Sequence, residues 1–273
     1  MPRVMLSTGI GLFYEEHGQG EPLVLIMGTS ADASYWTPQI EAYKSRYRVI
    51  AFDNRGAGRS DKPSGIEAYS MKILAADTAA LLDALHIRTA HVSGLSLGST
   101  VAQELALARP DLVGTLELHG TWGHSDAAFC YAIETMRYPL LLGDREGFVK
   151  TAFAWILSSA FLNDDAQREK LLAAVLGSPH PASVEGILGQ IHADLTHESL
   201  GRLGAVRCPT LVTAGEVDIQ VPPRLGHDVY CAIPDAEWHL YSGRRASHLA
   251  CLEMADDFNR VTLEFLAKHP LST

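Results

Sequence analysis

The sequence predicts an α/β fold in which a mostly parallel central sheet is covered by helices on both faces. Two observations predict this fold. Short apolar segments of strand length alternate along the chain with longer segments of helical periodicity. The apolar segments also lack a clean two-residue alternation, which is typical of strands that are buried on both faces. With 273 residues, 47% of them hydrophobic, the chain is long enough to bury such a sheet.

Six segments have the length and composition of buried strands. They are residues 22–28, 47–53, 89–94, 113–120, 209–215 and 237–243. Helical patterns lie between or after them. They cover residues 69–86, residues 99–110, where the helix begins at a Ser/Thr cap and ends before a proline, and residues 256–269.

One long stretch breaks the alternation of strands and helices. From about residue 122 to residue 204 the sequence contains four helical patterns and no convincing strand pattern. We therefore predict a core formed by residues 1–122 and 205–273. Residues 123–204 are predicted to form a helical cap, or lid, inserted between two strands of the sheet.

Composition excludes several classes of function. The net charge is −10, from 22 basic and 32 acidic residues, and no basic cluster is present, which argues against a nucleic-acid partner. No apolar run approaches the roughly 20 residues that span a membrane, and the N-terminus lacks the apolar region of a signal peptide. The four scattered cysteines are expected to be free thiols, and no metal-ligand spacing is present. We expect a cytoplasmic protein without metal or cofactor.

The segment SGLSLGST, residues 93–100, falls between a predicted strand and a predicted helix. A serine on a sharp turn there takes an unfavourable backbone conformation, and glycine two residues to either side avoids a collision. Gly94 and Gly98 meet this requirement around Ser96. The turn also directs the start of the next helix at whatever bonds to the serine, and helix N-terminal amides stabilise negative charge. Ser96 is therefore a candidate nucleophile.

A serine hydroxyl is a weak nucleophile at neutral pH, so it requires a base, and the base requires an orienting acid. Asp218 lies in the loop after the strand predicted at residues 209–215. His248 lies after the strand predicted at 237–243, just before the last helix. Both positions are at the carboxyl ends of strands, where open α/β sheets carry their functional groups.

Four segments together resemble the α/β-hydrolase fold family: GLSLG, GEVDIQVP, SHLACLE and AFDNRGAGRSDKP. Within the family the chain is similar to small esterases, 3-oxoadipate enol-lactonases and cofactor-free haloperoxidases. The resemblance covers the chain except for the helical insertion, which matches the family's cap in position only. It implies that Ser96 is the nucleophile, His248 the general base and Asp218 its orienting carboxylate.

The same resemblance implies an oxyanion hole made of two backbone N–H groups, from Thr29 and Leu97. The family usually has His-Gly after the corresponding early strand, whereas this chain has Met27 and Gly28. A backbone donor does not depend on that histidine. Removing one such donor typically lowers the rate roughly 10²–10³-fold, so this loop is expected to matter as much as the triad.

Apolar residues are expected to line the substrate pocket. We assign Met27, Trp122 and His124 to it. Packing between cap and core is the alternative for Trp122, and a structural role is the alternative for His124 and for His119. Other polar residues are interpreted as structural: Asp53 and Arg55 as loop ties, Asp77 on a helix face, Glu253 as support for the loop of His248, and Glu117 as a poorer acid than Asp218.

Three functional hypotheses remain open. The first is a serine hydrolase that cleaves a carboxylic ester or lactone of a small, largely apolar molecule through an acyl-enzyme. The second uses the same fold and triad for C–C bond hydrolysis, perhydrolysis, or a biosynthetic elimination or cyclisation. The third is a non-catalytic ligand-binding protein on a hydrolase scaffold, which the presence of all three triad residues disfavours.

Overall fold

The structure is a computed structural model that describes residues 2–271. Its described residues form one eight-stranded sheet with the order β1-β2-β4-β3-β5-β6-β7-β8. The strands are β1 (Arg3–Met5), β2 (Gly11–His17), β3 (Glu21–Ile26), β4 (Tyr47–Phe52), β5 (Ala90–Leu95), β6 (Val113–His119), β7 (Thr210–Gly215) and β8 (Glu237–Tyr241). β1 and β2 pair antiparallel with their neighbours, and every pair from β4 to β8 is parallel.

The α-helices connect and cover these strands. They are α1 (Thr37–Tyr43), α2 (Met71–Ala84), α3 (Leu97–Ala108), α4 (Ala127–Leu141), α5 (Arg145–Ile156), α6 (Ser159–Leu162), α7 (Asp165–Leu176), α8 (Val184–Thr196), α9 (Pro223–Ala232), α10 (Ala250–Glu253) and α11 (Ala255–Lys268). Short 3-10 helices occupy Ala33–Trp36, Ile66–Ala68, Pro110–Leu112 and Leu200–Ala205.

The predicted α/β fold is confirmed, because all six predicted strands are present as β3 to β8. Strands β3, β5 and β7 contain almost only buried residues, which explains their lack of alternation. The two N-terminal strands were not predicted. β1 is only three residues long, and β2 ends in the charged, partly exposed sequence Glu15-Glu16-His17, which does not read as a buried strand.

Five helices, α4 to α8, lie between β6 and β7, where the sequence predicts the insertion. We call residues 123–204 the helical insertion. All five of these helices begin where an Asp or Ser side chain accepts a backbone N–H of the first turn: Asp126 for α4, Asp144 for α5, Ser158 for α6, Asp164 for α7 and Ser183 for α8. Within residues 2–271, no helix is both long and apolar enough to cross a bilayer.

Candidate active site

Ser96 occupies a strained turn between β5 and α3. Its φ of 57° and ψ of −127° lie in a region that residues with a side chain rarely adopt. A side chain on Gly94 would collide with the carbonyl of Gly98, and one on Gly98 would collide with the carbonyl of Ile26 on β3. The turn therefore requires both glycines, because backbone from three segments meets there.

Asp218 and His248 meet although thirty residues separate them. The His248 Nδ1 donates to Asp218 Oδ2 over 2.8 Å. The other carboxylate oxygen, Oδ1, accepts the backbone N–H groups of Gln220 at 3.0 Å and Val221 at 2.8 Å. Both side chains are buried. The aspartate is thus fixed by its own loop and in turn fixes the orientation of the imidazole.

Glu253 supports the loop that carries His248, as the sequence predicts. Its Oε1 accepts the hydroxyl of Ser247 at 2.6 Å and the backbone N–H of Ser158, in the helical insertion, at 2.9 Å. The Ser158 hydroxyl donates to the second oxygen of the same carboxylate. This one carboxylate therefore ties the histidine loop to the insertion.

Ser96 and His248 line the same cavity, between the sheet and the helical insertion. The His248 Nε2, the ring nitrogen that Asp218 does not engage, is buried and hydrogen-bonds to no atom within residues 2–271. A neutral imidazole that donates through Nδ1 leaves Nε2 as an acceptor. In its neutral form, with the proton on Nδ1, the ring can take a proton from a group in this cavity.

The loop after β3 approaches Ser96 closely, since a Cβ on Gly28 would lie 3.0 Å from the Ser96 Cβ. Thr29 follows, and its backbone N–H donates to no acceptor in the described part of the chain. Leu97 is the first residue of α3, where backbone N–H groups have no partner within the helix. Two backbone donors are thus available on either side of Ser96.

The cavity wall is mainly apolar. Met27 lies in it, at the position where the sequence places a pocket residue. The helical insertion contributes nine apolar residues: Met136, Phe148, Val149, Ala152, Phe153, Ile156, Leu171, Val175 and Ile191. Among the described residues that line it, none is Asp, Glu, Lys or Arg. The site therefore suits an uncharged, apolar group.

Two of the three predicted pocket residues lie elsewhere. Trp122 is buried in packing, with its ring 4.6 Å from that of Phe129, and it does not line the cavity. His124 is largely exposed and pairs with Glu198 through Nδ1 at 2.5 Å. Trp122 and His124 therefore do not line the cavity around Ser96, in contrast to the assignment from sequence, because their side chains engage residues of the insertion.

The other polar residues have structural partners. Asp53 accepts the backbone N–H groups of Ala33 and Arg59 at 2.8 and 2.7 Å, and Arg55 forms a buried ion pair with Asp77 on α2.

His119 is held between the hydroxyls of Ser93 at 3.1 Å and Thr213 at 2.8 Å. Glu117 is fully buried within β6, with Oε2 3.9 Å from His119 Nε2, and its carboxylate oxygens have no hydrogen-bond partner within residues 2–271. No group of three metal-ligating side chains converges among residues 2–271.

Two residues near the site were not predicted. Gln190 and Asp194, on α8, accept hydrogen bonds from the loop after β3: Ser30 N–H donates to Gln190 Oε1 at 2.6 Å and Thr29 Oγ1 to Asp194 Oδ2 at 2.7 Å. Burial raises the pKa of Asp194 to about 8. The available signal was the pair of polar residues one helical turn apart in the otherwise apolar segment GILGQIHADL.

Comparison with known proteins decides the family. The sequence pattern of the alpha/beta hydrolase fold matches residues 21–253. The chain belongs to the α/β-hydrolase family. This confirms the resemblance drawn from the four motifs and the prediction that the chain is an enzyme of this class.

Two relatives of this α/β-hydrolase cover nearly its whole length. RutD of Azorhizobium caulinodans, a proposed carbamate hydrolase, is 31% identical over 260 residues, which are 93% of this chain and 94% of RutD. BpoC of Mycobacterium tuberculosis, a proposed non-heme bromoperoxidase, is 32% identical over 265 residues, which are 94% of this chain and 98% of BpoC.

Solved structures share the fold. A thermophilic esterase from Thermogutta terrifontis superimposes with a TM-score of 0.85 at 26% identity, covering 99% of this chain and 100% of the esterase. The enol-lactonase from Burkholderia xenovorans LB400 superimposes with a TM-score of 0.87 at 22% identity, covering 97% of this chain and 100% of the lactonase.

Proposed function

We propose that this α/β-hydrolase cleaves a carboxylic ester or lactone of a small, largely apolar molecule through an acyl-enzyme on Ser96. The observation that carries the proposal is the pairing of His248 Nδ1 with Asp218 Oδ2 at 2.8 Å beside a cavity that Ser96 lines. This arrangement leaves His248 Nε2 free to act as a base. A strained serine at the start of a helix is the group that such a base would activate.

The reaction proceeds in two steps. In the first, His248 Nε2 takes the proton of Ser96 Oγ as that oxygen attacks the carbonyl carbon. The tetrahedral oxyanion accepts hydrogen bonds from the backbone N–H groups of Thr29 and Leu97. As the intermediate collapses, His248 returns the proton to the leaving alkoxide and the acyl-enzyme forms. Water then repeats the sequence and releases the acid.

The cavity wall supports an uncharged acyl group. Aliphatic and aromatic side chains from the insertion line the cavity beside Ser96, and no described lining residue is Asp, Glu, Lys or Arg. A substrate with a carboxylate at this depth would lose its hydration without gaining a cationic partner, which is costly. We therefore expect neutral esters and lactones to be preferred over esters of dicarboxylic acids.

Carbamate hydrolysis is the second candidate, and the similarity to RutD favours it. A carbamate presents a carbonyl to the same serine, but the adjacent nitrogen lowers its electrophilicity. A panel of p-nitrophenyl butyrate, a small lactone and a neutral p-nitrophenyl carbamate separates the two. Faster acylation by the ester and the lactone supports the first proposal, and faster turnover of the carbamate supports the second.

Replacing the nucleophile tests the serine mechanism. In Ser96→Ala, we expect kcat for p-nitrophenyl butyrate to fall by roughly 10⁴-fold or more, because no nucleophile remains. Labelling by a fluorophosphonate should be lost in the same variant. The control is Ser45→Ala, an exposed serine far from the site in the fold. Undiminished turnover in Ser96→Ala, or no labelling of the folded parent, would contradict the proposal, and the second result would favour a binding protein.

A further inference from the structure

Helix α8, in the helical insertion, carries two buried polar side chains that both reach the loop after β3. Gln190 and Asp194 are four residues apart and therefore lie on one face of the helix. Neither lines the cavity around Ser96. Both nonetheless hold residues of the loop that passes beside Ser96, so α8 is linked to the reaction centre through that loop.

Gln190 joins two loops of the core. Its Oε1 accepts the backbone N–H of Ser30 at 2.6 Å, and its Nε2 donates to the carbonyl of Arg55 at 2.8 Å. Ser30 has a φ of 64°, which is unfavourable for a residue with a side chain. The hydrogen bond to Gln190 therefore holds the residue next to Thr29 in a conformation that the loop would not retain by itself.

Asp194 holds Thr29 itself. Its Oδ2 accepts the Thr29 hydroxyl at 2.7 Å, whereas its Oδ1 is buried and has no hydrogen-bond partner in the described part of the chain. The backbone carbonyl of Asp194 accepts the Ser125 hydroxyl at 2.7 Å, which fixes this end of the helix. Burying a carboxyl group with one oxygen unsatisfied is unfavourable for folding. Its presence therefore indicates a role that an apolar residue could not fill.

The position of α8 on the core is fixed by backbone contact. A side chain on Gly186 would collide with the carbonyl of Gly56, and one on Gly189 would collide with the ring of Tyr69. The helix is therefore seated directly on the core and cannot shift without breaking this packing. This packing fixes the positions of Gln190 and Asp194 relative to the loop that they hold.

We propose that Gln190 and Asp194 are positioning residues of the reaction, which hold the loop at Thr29 and Ser30 so that the Thr29 backbone N–H faces the oxyanion. The inference rests on the proposed hydrolysis at Ser96. Neither side chain touches the reacting atoms, and both act through the loop. The helical insertion then contributes to transition-state stabilisation as well as to the walls of the cavity.

This role predicts an effect on the transition state more than on substrate binding. A misplaced donor weakens the hydrogen bond to the oxyanion, which exists only after attack, so kcat should fall while KM changes little. Thr29→Val removes the hydroxyl that Asp194 holds but keeps the backbone N–H. With p-nitrophenyl butyrate, we expect kcat to fall roughly 10–100-fold, less than complete loss of a donor would cause, and KM to stay within about threefold.

Single substitutions of the two α8 residues test the same hydrogen bonds at their acceptor side chains. Asp194→Ala and Gln190→Ala should each lower kcat roughly tenfold or more, whereas Asp194→Asn, which keeps an acceptor oxygen for Thr29, should recover part of that loss. Thr89→Val is the matched control. It removes a hydrogen bond from a threonine hydroxyl, from Thr89 to the carbonyl of Asp111 at 3.0 Å, next to the start of β5 and thus at the opposite end of that strand from Ser96, and should leave kcat unchanged.

Amide hydrogen exchange provides a readout that does not depend on turnover. In a peptide covering residues 27–31, exchange should become faster in Thr29→Val, Asp194→Ala and Gln190→Ala, and should stay at the parent rate in Thr89→Val. If Ser96→Ala abolishes turnover while these variants keep the parent kcat or exchange rate, the positioning role is overturned and the serine mechanism stands. If Ser96→Ala keeps full turnover, the proposed function fails and the catalytic part of this inference fails with it.

Discussion

At the scale of single residues, the two oxygens of Asp218 have different partners. Oδ1 accepts the backbone N–H groups of Gln220 and Val221, and Oδ2 accepts His248 Nδ1. The backbone donors can be satisfied only by an oxygen. The loop backbone therefore orients the carboxylate independently of His248. The carboxylate in turn favours the neutral imidazole tautomer with its proton on Nδ1.

The substitution Asp218→Asn tests the different roles of the two carboxylate oxygens. The amide oxygen will take the place of Oδ1, because two backbone N–H groups face it, and the amide NH₂ will then face His248 Nδ1. That ring nitrogen must become an acceptor, so the proton moves to Nε2, where a base is needed. We expect kcat for p-nitrophenyl butyrate to fall roughly 10³–10⁴-fold with little change in the unfolding midpoint. Asp228→Asn, at an exposed position on α9, is the control, and parent-like turnover in Asp218→Asn would contradict this role.

Local sequence predicts the turn of Ser96 and the loops that bring Asp218 to His248, but of the three residues it assigns to the pocket only Met27 lines the cavity. Ser96 sits in a motif whose glycines are required by contacts within a few residues and one neighbouring strand. Trp122 and His124 were assigned to the pocket from their place after β6, yet which residues face Ser96 depends on how helices far along the chain fold back over the sheet. Phe148 and Ile191 line the cavity for this reason, and nothing in their own segments indicates it.

At the scale of elements, prediction was most successful where both faces of a segment are buried. β3 to β7 are mostly buried, and their apolar segments predict them directly. β8 lies at the other edge with only Tyr241 fully buried, yet its segment is also predicted as a strand. β1 and β2 pair antiparallel at the edge, and only part of β2 is buried. An edge strand has a weaker apolar signal because solvent covers part of it, and its pairing with β4 involves residues more than thirty positions away.

Helix α8 should make the stability of the protein depend on pH through Asp194. The pKa of this carboxyl is raised from 3.8 to about 8 by burial. Between these two values the folded chain keeps a proton that the unfolded chain has released, so the free energy of unfolding falls as pH rises. The slope from this single group is at most about 1.4 kcal/mol per pH unit. Below pH 4 both states hold the proton and the group contributes no pH dependence.

Asp194→Asn removes this titration and leaves a neutral side chain of the same shape. The difference in unfolding free energy between Asp194→Asn and the parent should therefore shift in favour of the variant by roughly 2–3 kcal/mol between pH 5.5 and pH 7.5. Urea unfolding at the two pH values measures it. The same comparison for Asp228→Asn controls for the loss of an ordinary exposed carboxylate and should change little. A pH-independent difference for Asp194→Asn would mean that Asp194 is ionised in the folded protein.

At the scale of the whole molecule, the helical insertion contacts two core loops that border the cavity of Ser96, the loop after β3 and the loop that carries His248. α8 holds the loop of Thr29 through Gln190 and Asp194, and Ser158 meets the histidine loop through Glu253. The apolar cavity lies between these contacts. Under the proposed function, the core would supply the reacting groups, and the insertion would supply nine of the residues around the acyl group. Chemistry and selectivity would then be divided between the two parts of the chain.

Selectivity for acyl chain length should therefore change with a substitution in the insertion alone. Phe153 on α5 lines the cavity, and Phe153→Leu creates space next to the acyl group. We expect the ratio of kcat/KM for p-nitrophenyl octanoate to that for p-nitrophenyl butyrate to rise roughly 3–10-fold, because the longer chain fills space that is closed in the parent. Phe129→Leu is the matched control: Phe129 is also buried in the insertion, but it packs against Trp122 and does not line the cavity. We expect the two variants to lose similar amounts of folding stability. A change in chain-length preference in both variants, or in neither, would contradict the proposal that this cavity wall contacts the acyl group.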